Sequence, residues 1–479
     1  MNEMIKLNKQ KHDKPEFDEL SKMLSDLEGF LSEETDFNDK IWMKNLETVL
    51  DFQDSDGSFK LFDSYRIPSD ARVDFCHMPT YLCTATLMKA YLTDSSAFSQ
   101  KEKSALQNGL KASCARNLNG HGYEALKGQI EALNIFMKAG LREFMDLHSD
   151  LCPQFSEMIS GIISNFRDME SEGKFLGPWG ESYESEIIEI NEYFSQRQVF
   201  VYGTLMSGEV NHSYLEGCSC IGKATVEGYE MYNVGWYPAI VPGNSLIVGE
   251  LYQVPVGDVP SIDRLEGEGS LYAKKCERVT LRGKTSLAFV YVYLEDVSDL
   301  EKISAWNEEY LWYVSYGSNM LEERFMCYIE GGSFEESRNH PPCSDTTPPV
   351  AIKAVELPYD MYFANYSGSW GGKGVSFLDV TKGGKALGVA YLITREQFEH
   401  VVFRENCGRP QCREFGWYED TIDLEPMDGF EVKTITNIEL REYNEPDEGY
   451  WYTLLRGIRQ NWPEMSDDDI EAYLLSSMR

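Results

Sequence analysis

Two stretches of this chain share one plan. "VFVYGTLMSG" begins at Val199 and "WYVSYGSNML" begins at Trp312. Each runs β-branched and aromatic residues, the composition of a strand, into Tyr-Gly and a residue with a small hydroxyl. Farther on, "VGELYQVPVGDVPSIDRLEG" and "LGVAYLITREQFEHVVFREN" each open with a hydrophobe, a glycine and an aromatic strand, and each leads to an acid. Gly249 precedes Glu266 by 17 residues, and Gly388 precedes Glu405 by 17. Self-similarity of this kind predicts one unit used twice. The Tyr-Gly turn lies 64 residues before the acid in one copy and 89 in the other. The difference falls in "SRNHPPCSDTTPPV", a stretch of loop character that tolerates insertion.

The rest of the chain differs in kind. At 479 residues it exceeds one ordinary core, so two to four domains are expected. Residues 1–190 read mostly as helix. "FDELSKMLSDLEGFLS" and "EALKGQIEALNIFMKAGLREFM" space their apolar residues helically, and "PTYLCTATLMKAYL" is a helix with Pro79 near its start. "NLETVLDFQDSDGSFKLF" reads as a helix ending in an Asp-Gly turn. From Gln198 the segments become short, β-rich and broken by glycine. "DVPSIDRLEG" reads as a short helix and "EDVSDLEKISAWNEEY" as a helix or linker. After the second turn come strands at "YDMYFANYS", "GVSFLDV" and "ALGVAYLI", a helix at "TREQFEHVVFREN", and a helical tail with "SDDD" at its last start.

Composition narrows the partners. The net charge is −35, which argues against nucleic acid and anionic membrane surfaces, since both call for a basic face. No run of about 18 apolar residues predicts a membrane span, and the first residues show no leader of signal-peptide type. The 11 cysteines are scattered. Neither Cys218 with Cys220 nor Cys407 with Cys412 has zinc or redox spacing. Reduced thiols in a cytoplasmic protein are expected.

"VFVYGTL", "GELY" and "IDRLEG", with Tyr272 and Arg278 following, resemble the γ-glutamylcyclotransferase-like superfamily in its AIG2-like branch. "WYVSYGSNM" with a downstream glutamate resembles the YGSN branch. Together they cover about residues 198–420. The resemblance implies small mixed β-barrels, so that, with the helical periodicity of 1–190 and of the tail, the chain is expected to be multidomain α+β: a helical domain over 1–190, then two such domains over 198–300 and 310–479, the second with a helical tail. It implies a cavity for a γ-glutamyl group, whose α-amine attacks its own γ-carbonyl to give 5-oxoproline and release an amine or peptide. Folding the substrate into attack geometry supplies much of such a rate. One carboxylate in a dry cavity can take the proton from the attacking amine and return it to the leaving nitrogen, and burial suits it by raising its pKa. Glu266 and Glu405 are the candidates. Backbone N–H groups turned inward after a strand form an anion site for the α-carboxylate or oxyanion. They belong to Tyr202, Gly203, Thr204 and Leu205 in the first copy, and to Tyr316, Gly317, Ser318 and Asn319 in the second. The chemistry requires no metal and no organic cofactor.

Plainer readings stand beside these. A Tyr-Gly-Thr alone is a strand-end turn, and "EG" alone is a helix end. Glu268 reads as solvent-facing, Trp236 and Tyr237 as packing residues, and Cys218 and Cys276 as thiols without a histidine partner. A protein that binds γ-glutamyl or amino-acid-like ligands without turnover is the alternative class. "FQDSDGSFKL" faintly resembles the repeat ends of α/α-toroid proteins. The helical region is expected either to hold a peptide or protein substrate or to cap the barrel, with a merely structural or oligomerising domain as the plainer reading.

Overall fold

The computed structural model describes most of residues 77–478, except 94, 97, 116–122, 178–179, 335–338 and 413–416, together with scattered positions between 25 and 59. The helix expected over 17–32 lies mostly outside the described residues; Leu27 and Leu31 within it are helical and buried. The expected Asp-Gly turn is present: Gly57 has φ +84° and donates its N–H to Asp54 O at 2.9 Å.

Six helices follow: α1 (His77–Thr93), α2 (Gln100–Cys114), α3 (Tyr123–Met137), α4 (Leu141–His148), α5 (Pro153–Ser171) and α6 (Glu184–Ser195). The side chains of α1 are buried on all faces from Pro79 to Leu92, and all but Thr80, Thr84, Thr86 and Lys89 are apolar, as suits a central helix. A capping box between Ser99 and Glu102 starts α2. The run expected as one helix over 124–145 is broken at Gly140, which has φ +83°. A Cβ there would lie 2.5 Å from Leu287 Cδ1, so glycine both ends α3 and admits the neighbouring sheet.

That sheet is a closed barrel. Its strands are β1 (Gln196–Val201), β2 (Ser219–Asn233), β3 (Pro238–Pro255), β4 (Tyr272–Leu281) and β5 (Lys284–Tyr293), in the order β3-β1-β5-β4-β2, with β2 returning to β3. Helix α7 (Val259–Glu266) connects β3 to β4. Strand alternation divides β1 between two cores. Phe200 and Tyr202 point into the barrel with Val226, Met231 and Val290. Val199 and Val201 point outward into a cluster that includes Leu133, Phe144 and Ile190 of the helices. The helical region thus buries its apolar faces on the barrel. Arg142 sits at this seam, ion-paired to Glu143 and donating to the carbonyls of Tyr193 (3.1 Å) and Gln196 (3.3 Å).

The segment expected as a helix or linker over 295–310 instead contributes a short strand, β6 (Glu301–Ile303), on the edge of β2. Edge pairing and the packing of Ile303 and Trp306 on the barrel interior outweigh the helical propensity of this acidic run.

The remaining elements are β7 (Tyr310–Ser315), α8 (Glu322–Ile329), β8 (Ala351–Leu357), β9 (Asp360–Ser367), β10 (Lys373–Asp379), β11 (Ala386–Thr394), α9 (Arg395–Glu405), β12 (Asp420–Met427), β13 (Phe430–Thr436), α10 (Glu448–Asn461) and α11 (Asp467–Ser476). Five strands form a sheet in the order β12-β13-β7-β11-β8. With β7 in the place of β1, this is the first barrel's order, β4-β5-β1-β3-β2. The pairings agree too: β1 is parallel to β5 and antiparallel to β3, as β7 is to β13 and β11. One difference from the expected second barrel is that, among the described residues, β8 and β12 are not paired, so this sheet stays open. The hairpin β9–β10 is an addition without a counterpart in the first unit.

Candidate active site

The first Tyr-Gly turn leaves the end of β1. Met206 N–H closes it on Gly203 O at 2.9 Å. Glycine is required because a Cβ at 203 would lie 2.6 Å from Pro238 Cγ. The loop beyond is tied back at three points. Asn211 donates to Thr204 O (2.9 Å) and to Thr204 Oγ1 (3.0 Å). His212 Nδ1 lies 3.1 Å from Leu205 O. Ser207 N–H donates to Glu250 Oε2 at 2.7 Å. Among the described residues, no acceptor takes the N–H of Gly203, Thr204 or Leu205. The Tyr202 phenol donates to Tyr291 O, so this residue anchors the turn and leaves the polar work to the backbone.

Glu266 ends α7, where Gly267 adopts φ +61° and closes the helix. Burial pushes the Glu266 carboxyl from 4.5 up to about 7, although the residue keeps some exposure. The carboxyl is therefore largely desolvated without being sealed from solvent. Burial, then Tyr272 and Glu266, push the Tyr202 phenol well up; burial, then Glu266, do the same to Tyr272. Glu266 and the turn thus share one electrostatic environment, while Glu268 is exposed. The expectation that Trp236 packs is corrected: it is 90% exposed, because its loop, Val234–Tyr237, swings out beyond the end of the β2–β3 ladder. Tyr237 does pack, edge-on against Tyr272. Burial raises both the Cys276 and the Cys218 thiols, the opposite of an activated nucleophile.

The second turn repeats the first. Met320 N–H closes on Gly317 O at 2.9 Å, and the Tyr316 phenol donates to Ile435 O at 2.7 Å, on the parallel neighbour strand as before. Asn319 Nδ2 donates to Glu405 Oε1 at 2.6 Å, so the expected acid and turn are in contact here. Burial raises the Glu405 pKa, and Arg324, Tyr328 and Asn319 each pull it back. Among the described residues, the N–H groups of Ser318 and Asn319 have no protein acceptor. They line a cavity of about 290 Å³ together with Arg324, Trp370, Tyr418 and Glu405.

The matched glycines have a common cause. A Cβ at Gly249 would lie 2.3 Å from Val201 O, and one at Gly388 would lie 2.8 Å from Val314 Cγ1 and 3.3 Å from Ser315 O. The register is the same: Glu250 pairs with Val201 and Val389 with Ser315. Each glycine crosses the strand just ahead of the tyrosine, and the following helix then returns its glutamate to that turn.

Comparison with known proteins places residues 199–310. They match the model of the family described as gamma-glutamyl cyclotransferase, AIG2-like. A putative gamma-glutamylcyclotransferase of Methanocaldococcus jannaschii is 41% identical over 102 residues, 20% of this chain and 84% of its own. The chain belongs to the γ-glutamylcyclotransferase family. The gamma-L-glutamyl-butirosin B gamma-glutamyl cyclotransferase of Niallia circulans is 33% identical over 124 residues, 24% of this chain and 80% of its own. The crystal structure of YkqA from Bacillus subtilis aligns over 59% of this chain and 97% of its own at 20% identity, with a TM-score of 0.24. The segment matching the γ-glutamylcyclotransferase family spans the closed barrel and α7, and so includes Tyr202–Leu205 and Glu266.

Sequence reasoning did not reach Arg324, Tyr328, Trp370 or Tyr418. Arg324 was within sight, eight residues after Tyr316 in "YGSNMLEERF". Tyr328 lies one turn farther along α8, while Trp370 and Tyr418 come from the turn between β9 and β10 and the loop before β12, at separations no short motif spans. Among the described residues, no helix is long and apolar enough to cross a membrane.

Proposed function

We propose that the first barrel converts a γ-glutamyl amide or amine to 5-oxoproline and a free amine. The observation that carries this is the desolvated Glu266 carboxyl, held near neutrality beside a turn with unpaired N–H groups. The substrate α-carboxylate, or the oxyanion formed at the γ-carbonyl, is received by Gly203, Thr204 and Leu205 N–H. The α-amine nitrogen bonds to the γ-carbon, and ionised Glu266 takes its proton. The bond from that carbon to the leaving nitrogen then breaks, and Glu266 returns the proton to that nitrogen. Charge and protons balance without a further reactant.

The region after Tyr310 is read as a second copy of the unit, with Glu405 in the role of Glu266. Its supports are the shared strand order, the two identical turn closures and the matched glycine register. On this reading the chain is a helical domain over 1–190 followed by units over 198–300 and 310–479, working in the cytoplasm. The helical domain is read as structural, since its described helices bury apolar side chains against the first barrel. The substrate is a small γ-glutamyl molecule, in keeping with the butirosin-related name of one relative.

The test is a panel of γ-glutamyl amines assayed for 5-oxoproline with the full chain, Glu266→Gln, Glu405→Gln and the double variant. Product that disappears only in the double variant supports two working sites. Full activity in Glu266→Gln, with Glu405→Gln inactive, removes the first barrel from the reaction. Binding without product in the unaltered chain replaces the enzyme by a ligand-binding protein.

A further inference from the structure

The second cavity contains an arginine that its surroundings do not neutralise. Arg324 is 7% exposed, and its Nε donates to Ser318 Oγ at 2.8 Å, which fixes the guanidinium beside the turn. Its plane is held over Trp370, with the guanidinium carbon 5.2 Å from the ring centroid. Among the described residues, no carboxylate lies within ion-pair distance of it. The nearest acid in the cavity, Glu405, attracts Arg324 but is bonded to Asn319. A second arginine, Arg404, also lines the cavity, and its buried Nε has no partner.

A buried cation with no carboxylate in ion-pair contact is costly and persists where an anion completes it. Here the anion would meet three donors of one kind of site: the Arg324 fork and the N–H groups of Ser318 and Asn319. A planar fork fits a carboxylate in two-point fashion. The cavity, at about 290 Å³, lies at the lower end of the size range for small-molecule sites. It therefore suits a ligand of amino-acid size. The first site differs. Eight residues past Tyr202 stands Val210, 79% exposed, and the preceding Glu209 bonds to Trp306 and Asn307. The first turn offers backbone N–H groups alone.

We propose that Arg324 makes the second cavity a carboxylate-selective site for a small amino-acid-type ligand, so that the two units sort ligands by charge at this position. The kind of ligand rests on the γ-glutamyl reading of the second unit; the preference for a carboxylate rests on Arg324. The first unit loses less when the ligand's charge is removed, because backbone N–H groups gain less from a carboxylate than a guanidinium does. The second loses more.

The experiment compares 5-oxoproline with 5-oxoprolinamide, which differ in that charge, by calorimetric titration of the full chain. The expected result is a class of sites that binds the acid roughly 10- to 100-fold more tightly than the amide. Arg324→Met should remove that preference, weakening binding of the acid far more than binding of the amide. Arg324→Lys should keep part of it, since a point charge attracts but does not fork. Equal affinity of acid and amide in the unaltered chain overturns the inference without any variant. So does an unchanged preference in folded Arg324→Met. Neither measurement involves turnover. An Arg324-dependent preference in a chain whose second unit forms no 5-oxoproline upholds the inference and removes the cyclotransferase reading of that unit.

Discussion

Glu266→Gln should make the protein more stable at alkaline pH while abolishing product formation in the first barrel. The magnitude follows from burial. The carboxyl titrates near 4.5 in an unfolded chain and at about 7 in the folded one. Between these values the folded state holds a proton that the unfolded state has lost, so stability falls as pH rises from about 4.5 to 7. Each tenfold difference is worth about 1.4 kcal/mol, which sets a ceiling of about 3.4 kcal/mol. The residue keeps some solvent exposure, and screening lowers the expected value to roughly 1.5–3 kcal/mol. Glutamine has nearly the same shape and carries no charge, so the variant escapes this penalty above pH 7 and gains nothing at pH 4. Thermal unfolding of both proteins from pH 4 to 8 measures the effect, as a variant midpoint raised by roughly 3–10 °C at pH 8 and unchanged at pH 4. A pH-independent difference, or a variant less stable at pH 8, would refute the claim that Glu266 is desolvated. The functional argument that depends on its raised pKa would fall with it.

The same carboxylate must be ionised to accept the amine proton, so kcat/KM of the first site should fall about tenfold per unit below about pH 7; a flat profile to pH 5 counts against Glu266 as base. In a Glu266→Gln background, any activity left belongs to Glu405, which Arg324 draws downward. Arg324→Met should move that inflection to higher pH, and an unmoved inflection would mean the guanidinium does not act on Glu405. Gly249→Ala places a Cβ 2.3 Å from a backbone carbonyl, whereas Gly388→Ala first meets a valine methyl. Denaturant titration should show a loss of about 2–3 kcal/mol for the first and about 1 kcal/mol for the second, and equal losses would refute this account of the spacing. Arg142→Ala leaves Glu143, 2% exposed, without its cation, and should cost about 3–5 kcal/mol at the seam between helices and barrel; a loss under about 1 kcal/mol would show that the seam does not depend on the pair.

What the sequence revealed most clearly were features set by contacts close along the chain. The turns at Tyr202 and Tyr316 and the short α7 are local matters, and glycines with a hard steric reason fall at a fixed distance from the acids. Strand order was less accessible. Whether β8 meets β12 depends on edges more than sixty residues apart, and alternation of apolar residues is the same for a closed barrel and an open sheet. The 295–310 run shows the limit from the other side, since its acidic composition favours helix while the free edge of β2 takes it as strand.

The two turns share one backbone device and differ in what surrounds it. In each, the tyrosine phenol is bonded to a carbonyl of the parallel neighbour strand, which fixes the turn without occupying its N–H groups. That leaves a neutral donor cluster at both places, and the added elements decide what it can receive. In the second unit, α8 brings Arg324 to the turn, the β9–β10 hairpin brings Trp370 over the guanidinium, and α10 places the Tyr450 phenol 3.0 Å from Ser376 Oγ on β10. None of these has a counterpart around Glu266. An arginine introduced alone at Val210 would stand in solvent, since the native side chain there is exposed. It would therefore not give the first site the selectivity of the second. The carboxylate selectivity proposed for the second cavity therefore calls for Trp370 of the hairpin, which packs edge-on against Tyr450 of α10, as well as for the arginine.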